Sequence, residues 1–190
     1  MTSRTHDMIA FSSLVTLAGI NPPLSLNVPT LFACLVGNVV GSLLPDIDQA
    51  TNRLWDLLPG GNIIGSIFKK LFLSHRTLSH SLIGVFLFYK GLEWVLPKVF
   101  NPGFINPQLI LMSIMVGLVS HLVADALTED GIPLFFPLKI KIGFPPVRSW
   151  RIKTGHWFEK YVVFPGVLVY LFWFISGNSQ SLLKIFSSVR

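Results

Sequence analysis

At 190 residues, 51% of them hydrophobic and only 13% charged, with a mean hydropathy of +0.61, the chain lies far from a soluble globular domain, where about a quarter of residues carry charge. This composition excludes an ordinary soluble enzyme and predicts a single all-α domain over residues 1–190, a polytopic membrane helical bundle of four to five transmembrane helices. The net charge of +6 does not point to nucleic acid, because the basic residues are spread among loops instead of being interleaved with aromatics along a binding stripe.

The first apolar run, 8–20, follows Arg4 and His6 and stops at Asn21-Pro22-Pro23. It has the outline of a signal peptide but no small-x-small cleavage site, so a retained first helix is expected. The second run, 28–44, holds the lone Cys34, which has no intramolecular disulfide partner and reads as a small packing residue. Pro45-Asp46-Ile47-Asp48 closes that run. Carboxylates are disfavoured where the helix dipole is already negative. Either a bound cation removes this penalty, or the two are solvated at the interface. Residues 63–73 surround Lys69 and Lys70 with apolar side chains. They suit an amphipathic helix lying in the interface, or a soluble-type helix capping the bundle.

The third run, 78–96, opens on Ser74-His75-Arg76-Thr77-Leu78-Ser79-His80-Ser81. Residues five apart lie about 140° apart on a helix, so His75 and His80 would not share a helical face. His75 is expected before the helix, with Thr77 or Ser79 near its N-cap and both imidazoles bent into one cavity. Arg76 beside them would partner a phosphate or carboxylate oxygen. Near the end of the fourth run, 109–127, His121-x-x-x-Asp125 puts an imidazole and a carboxylate on one helical face within an apolar stretch. The pair offers two metal ligands, one ligand and its orienting partner, or an interhelical hydrogen bond. Thr128-Glu129-Asp130-Gly131-Ile132-Pro133 then breaks the helix. The last run, 161–175, is preceded by Gly155-His156-Trp157-Phe158-Glu159. Glu159 there is either a further ligand or a carboxylate stabilised by the helix dipole.

Alternating helix direction would bring His6, Asp46, Asp48, His75, His80, His121, Asp125 and Glu159 to one face of the membrane. The N-terminus and loops 45–77 and 128–160 hold eleven of the Lys and Arg residues, whereas loops 21–27 and 97–108 hold only Lys98. By the positive-inside rule the face with the histidines, and the N-terminus, are expected in the cytoplasm. Arg148, Arg151 and Lys153 at that edge would attract an anionic substrate, although orientation alone also accounts for them. Imidazole and carboxylate donors suit Zn²⁺, Mn²⁺ or Fe²⁺, and the number of candidates exceeds the three or four that one zinc ion takes.

In this order and spacing, Thr5-His6, Leu43-Leu44-Pro45-Asp46-Ile47-Asp48, His75-Arg76-x-x-x-His80-Ser81, Ser120-His121-x-x-x-Asp125-x-x-Thr128-x-x-Gly131-Ile132-Pro133 and Gly155-x-x-x-Glu159 resemble the YdjM-like family of predicted membrane-bound metal-dependent hydrolases. The resemblance implies a metal site formed by His6, Asp46, Asp48, His75, His80, His121, Asp125 and Glu159, with one to three divalent ions, Zn²⁺ first among them. It also implies a distant likeness to the zinc-dependent phospholipase C and P1-nuclease group. The expected activity is hydrolysis of a phosphoester in a lipid or other amphiphile at the inner membrane, with Asp48 or Glu159 as general base and Arg76 stabilising charge on phosphate oxygens. The rival readings are a non-enzymatic, metal-stabilised membrane scaffold, a divalent-metal transporter, or a metal-free phosphatase with a histidine nucleophile. A transporter would place its ligands near the bilayer midplane, and here they gather at one end.

Overall fold

The computed structural model describes residues 1–23, 25–47, 55, 78–138 and 140–188. Asp48, His75, Arg76 and the amphipathic segment 63–73 lie outside the described residues. The described elements are α1 (Ser3–Ile20), α2 (Val28–Leu43), a 3₁₀ turn (Leu44–Asp46), α3 (Leu82–Val99), α4 (Pro107–Ala126), α5 (Phe164–Gly177, led in by a π-helical turn, Glu159–Val163) and α6 (Ser179–Ser188). Among the described residues the all-α expectation holds, with two isolated β-bridges in place of any sheet.

Local chemistry sets the helix ends. Asn27 caps α2 by accepting from the Thr30 N–H at 2.9 Å, and Asn106 caps α4 by accepting from the N–H groups of Gln108 and Leu109. Each helix has a proline in its first turn, where the missing N–H costs nothing. The N-cap of α3 is Ser81, later than the expected Thr77 or Ser79. Its hydroxyl accepts from the Gly84 N–H and donates to the Leu78 carbonyl. This closed loop is possible because Gly84 has no side chain: a Cβ there would sit 2.0 Å from the Leu78 oxygen. Helix α1 begins at Ser3, so His6 lies in its first turns and not ahead of it.

The chain runs up and down. At one end the Asn106 N–H donates to the Thr30 hydroxyl and the Asn27 amide donates to the Phe104 carbonyl. At the other, the starts of α1 and α5 meet through Thr2 and Glu159, and the ends of α2 and α4 meet through Ser42 and His121. Helix α4 is the central element, and its Ile110, Leu111, Ile114, Leu118 and Leu122 form much of the buried core with Leu44, Leu96 and Ile132.

Among the described residues three segments are long and apolar enough to cross a membrane: Val28–Asp46, Pro107–Ala126 and Glu159–Gly177. Helices α1 and α3 have 18 residues each, but polar side chains at the start of α1, and Lys90, Glu93 and Lys98 in α3, set them apart from these three. On α5 the side chains of Val169, Phe172 and Trp173 are 69–71% exposed. Apolar groups so exposed on a helix of spanning length are suited to face lipid instead of water.

Candidate metal centre

The centre is assembled by the contact between α2 and α4. Gly37 and Gly41 form a Gly-x-x-x-Gly stripe on α2, and Gly117 faces it from α4. A Cβ on Gly41 would lie 2.0 Å from the Ile114 carbonyl oxygen, and one on Gly117 would lie 2.2 Å from that of Asn38. Small residues let the two backbones approach this closely, as at many membrane helix contacts. Polar bonds across the seam add to it: the Ser113 hydroxyl donates to the Cys34 carbonyl at 2.5 Å and the Asn38 amide to the Ser113 carbonyl at 3.2 Å.

One residue past Gly41, and one turn past Gly117, the same approach places the Ser42 carbonyl 2.6 Å from Nδ1 of His121. A carbonyl only accepts, so Nδ1 carries the proton and Nε2 carries the lone pair. Fixing the tautomer through the distal nitrogen is the usual support of a ligating imidazole. The Ser42 hydroxyl donates to Asp7 of α1 at 2.7 Å, so one residue ties three helices together at this point.

Five of the expected residues converge here. Asp125, one turn beyond His121, accepts at Oδ1 from the α-amino group of Met1 at 3.0 Å and lies 3.2 Å from Nε2 of His6. Its Oδ2 is 3.5 Å from Nε2 of His80 and 3.7 Å from that of His121. On the other side of His80 and His121, the Asp46 carboxylate lies 3.6 Å from Nε2 of His80 and 3.9 Å from that of His121. The rings of His6 and His121 stack at 3.8 Å between centroids. His6, His121 and Asp125 form one group with ligand-competent geometry, and Asp46, His80 and His121 form a second, with His121 common to both. The histidines and Asp125 are buried, whereas the Asp46 side chain is 28% exposed.

This donor set fits divalent metal. Nε2 of His121 and Oδ1 of Asp46 are buried without a hydrogen-bond partner among the described residues, a costly state for polar atoms in so closed a place. They face other donor atoms at separations too long for good hydrogen bonds and close to those between ligands sharing one ion, each about 2.0–2.2 Å from it. Burial holds His6, which lies outside the three spans, down at about pKa 4, outweighing its hydrogen bond to Asp125. A neutral imidazole is the form that ligates.

Glu159 does not join either group. Its Oε1 accepts from the Thr2 N–H at 2.7 Å, the Thr2 hydroxyl at 2.8 Å and the Thr5 hydroxyl at 2.7 Å, and its Oε2 accepts from the Gly155 N–H at 2.7 Å. A carboxylate bonded in this way fastens the start of α1 to the start of α5. Gly155, at φ +75°, takes up the left-handed conformation that aims its N–H at Glu159. Thr128 likewise serves the backbone: its hydroxyl donates to the Asp125 carbonyl at 2.7 Å.

Comparison with known proteins agrees with this architecture. A family model described as YdjM inner membrane protein matches residues 1–183. The chain is 28% identical over 166 residues to "Uncharacterized protein YvsG" of Bacillus subtilis (strain 168), across 86% of this chain and 88% of that protein. It is 31% identical over 107 residues to "Inner membrane protein YdjM" of Escherichia coli (strain K12), across 56% of this chain and 50% of that protein, with the same figures for YdjM of Shigella flexneri. The chain thus spans about half the length of the YdjM proteins it matches. No solved structure matches.

Proposed function

The chain belongs to the YdjM inner membrane protein family, and on that premise we propose that it is a membrane-bound, metal-dependent hydrolase acting on a phosphoester of a lipid or other amphiphile. The observation that carries this reading is the convergence of His6, Asp46, His80, His121 and Asp125 on one cluster, with facing donor atoms 3.2–3.9 Å apart. These five residues would hold one or two divalent ions, with Zn²⁺ the first choice for this mixed imidazole and carboxylate set and Mn²⁺ or Fe²⁺ next. Such an ion supplies Lewis acidity and brings the pKa of water toward neutrality.

The protein's own groups do the rest. The Ser42 carbonyl holds His121 in one tautomer. Asp125 Oδ2 stands 3.5 Å from Nε2 of His80 and 3.7 Å from that of His121, where one cation would satisfy all three. Asp46, the partly exposed member of the cluster, is the proposed side from which a phosphate group approaches. Glu159 is spoken for by its four hydrogen bonds, which leaves Asp48, two residues after Asp46, as the proposed acceptor of the proton released by water. Arg76 is the proposed partner of the phosphate oxygens. The excess of Lys and Arg on this side supports a cytoplasmic face for the site, and the position at the ends of spanning helices favours a substrate held at headgroup depth.

The test is metal analysis of the purified chain and of its His121→Ala and Asp46→Ala variants, together with hydrolysis assays on phospholipids and polyprenyl phosphates. The expected result is stoichiometric metal in the wild type, loss in both variants and turnover of at least one substrate. Wild-type protein with no metal above background overturns the reading. Metal without turnover favours a scaffold, a reading that the link between α1, α2, α4 and the turn before α3 also supports.

A further inference from the structure

The segment between α4 and α5, described over residues 127–138 and 140–158, has a hydrogen-bonded backbone and an apolar outer surface. Ile132 and Ile142 exchange two backbone hydrogen bonds at 2.8 Å, the Phe144 N–H donates to the Ala126 carbonyl, and the Ile152 N–H donates to the Leu127 carbonyl. The Arg151 guanidinium donates to the carbonyls of Pro145 and Pro146. Held on this frame, Phe135, Leu138, Phe144, Val147, Trp150 and Trp157 are between 48% and 75% exposed. An apolar group of this kind, carried by an ordered loop, marks a surface that something covers.

We propose that this segment is a lip seated in the headgroup layer of an anionic bilayer, its apolar side chains sunk among the upper acyl chains and its cations on the lipid phosphates. Three observations commit it to lipid. First, it starts where one spanning segment, Pro107–Ala126, ends, and it finishes where another, Glu159–Gly177, begins, so both its ends lie at the membrane boundary. Second, its composition is that of an interfacial anchor: tryptophan and phenylalanine alternate with long cationic side chains whose stems cross apolar surface to reach the headgroups. Third, its charge is complementary. Lys139, Lys141, Arg148, Arg151 and Lys153 stand against only Glu129 and Asp130, and the ion pairs Arg148–Asp130 at 4.0 Å and Lys153–Glu129 at 3.8 Å are long and exposed. Pairs of that kind hold little energy and give way readily to a lipid phosphate. The lip would set the depth of Asp125 and Thr128, which lie at its root, whether or not the metal centre is catalytic.

The proposal is tested on the full chain in nanodiscs, either all phosphatidylcholine or containing phosphatidylglycerol, using a variant that keeps Trp150 and has Phe at the other four tryptophans. In the anionic discs Trp150 should be quenched by lipids brominated near the headgroup end and shielded several-fold from aqueous acrylamide. The further changes Lys141→Glu, Arg148→Glu and Lys153→Glu should reverse that in anionic discs and have little effect in neutral ones. A Trp150 open to acrylamide and untouched by brominated lipid overturns the proposal. Shielding that depends on protein concentration also overturns it, by assigning the surface to a second copy. If the multiple tryptophan changes prevent folding, W150C in a Cys34→Ser background serves instead. Maleimide should label it several-fold more slowly in anionic discs than in detergent, and equal rates would again overturn the lip.

Discussion

His121 donates from Nδ1 to the carbonyl of Ser42 at 2.6 Å, and that bond exists only because Gly41 and Gly117 let α2 and α4 touch backbone to backbone. The candidate metal centre is in this sense a consequence of helix packing. The same close approach sets the orientation of the His121 imidazole and the place of Asp125 one turn further along α4.

Gly41→Ala and Gly117→Ala should therefore damage the centre without touching any ligand. The added methyl would lie 2.0 Å from the Ile114 oxygen in the first case and 2.2 Å from the Asn38 oxygen in the second. Because the obstacle is backbone, the helices must separate, at an expected cost of about 1–3 kcal/mol. Thermal unfolding in detergent should show the loss, and metal content should fall with it. Gly91→Ala is the control: nothing lies within 4 Å of its Cβ position, so on an exposed helix it should be neutral or stabilising by up to about 1 kcal/mol.

Asp125→Asn tests the buried carboxylate of the group that it forms with His6 and His121. Its oxygens face the amino group of Met1 and the Nε2 atoms of His6, His80 and His121. The amide keeps the shape, removes the charge and puts an N–H where a ligand oxygen is needed. Metal affinity should fall by more than about ten-fold, read by competition with a chelating dye. In the wild type, excess chelator should lower the unfolding midpoint, since an ion at 100 times its dissociation constant stabilises by about 2.7 kcal/mol; the variant should lose most of that response. An unchanged affinity would remove Asp125 from the centre.

Glu159→Gln separates a ligand from a fastener. The sequence pattern placed Glu159 with the metal residues, but its oxygens accept four hydrogen bonds from Thr2, Thr5 and Gly155. Glutamine has one carbonyl for that task, and its NH₂ would face a donor. The expected result is a destabilisation of about 1–3 kcal/mol with metal stoichiometry intact. Loss of metal at unchanged stability would restore Glu159 to the ligand set.

Sequence patterns made the membrane bundle and its five converging residues legible because each left a local mark. Apolar runs showed the helices, and polar groups at their ends showed the site. His121 and Asp125 are four apart, a spacing that declares a common face. What escaped notice depends on contact between segments far apart in the chain. Ser42 acts through its carbonyl, which every residue has, so its type alone gave no hint of the bond to His121. Gly37 and Gly41 did leave a signal, a Gly-x-x-x-Gly in an apolar run, and it marked the helix seam that holds the centre. Glu159 left two readings open for the opposite reason: a carboxylate ahead of a helix looks the same whether it waits for a metal or for N–H and O–H donors from the start of α1.

Ser81→Ala addresses how His80 is held. The Ser81 hydroxyl donates to the Leu78 carbonyl at 2.7 Å and accepts from the Gly84 N–H at 3.1 Å, closing the turn that carries His80 over the first residues of α3. Alanine removes both bonds. The loss of an N-cap costs about 1 kcal/mol, a modest change in a whole-protein unfolding curve. The larger effect should be local, because His80 is fully buried with its Nε2 3.5–3.6 Å from both aspartates, and a loosened turn lets the ring leave that position. Metal should consequently dissociate several-fold faster from Ser81→Ala than from wild type, with little change in unfolding midpoint once chelator has stripped both proteins. Ser81→Thr keeps a hydroxyl able to cap and should recover the slower release. If Ser81→Ala and wild type release metal at the same rate, His80 is held without the cap, with the Ser79 hydroxyl 3.1 Å from its Nδ1, and the cap contributes only to the helix.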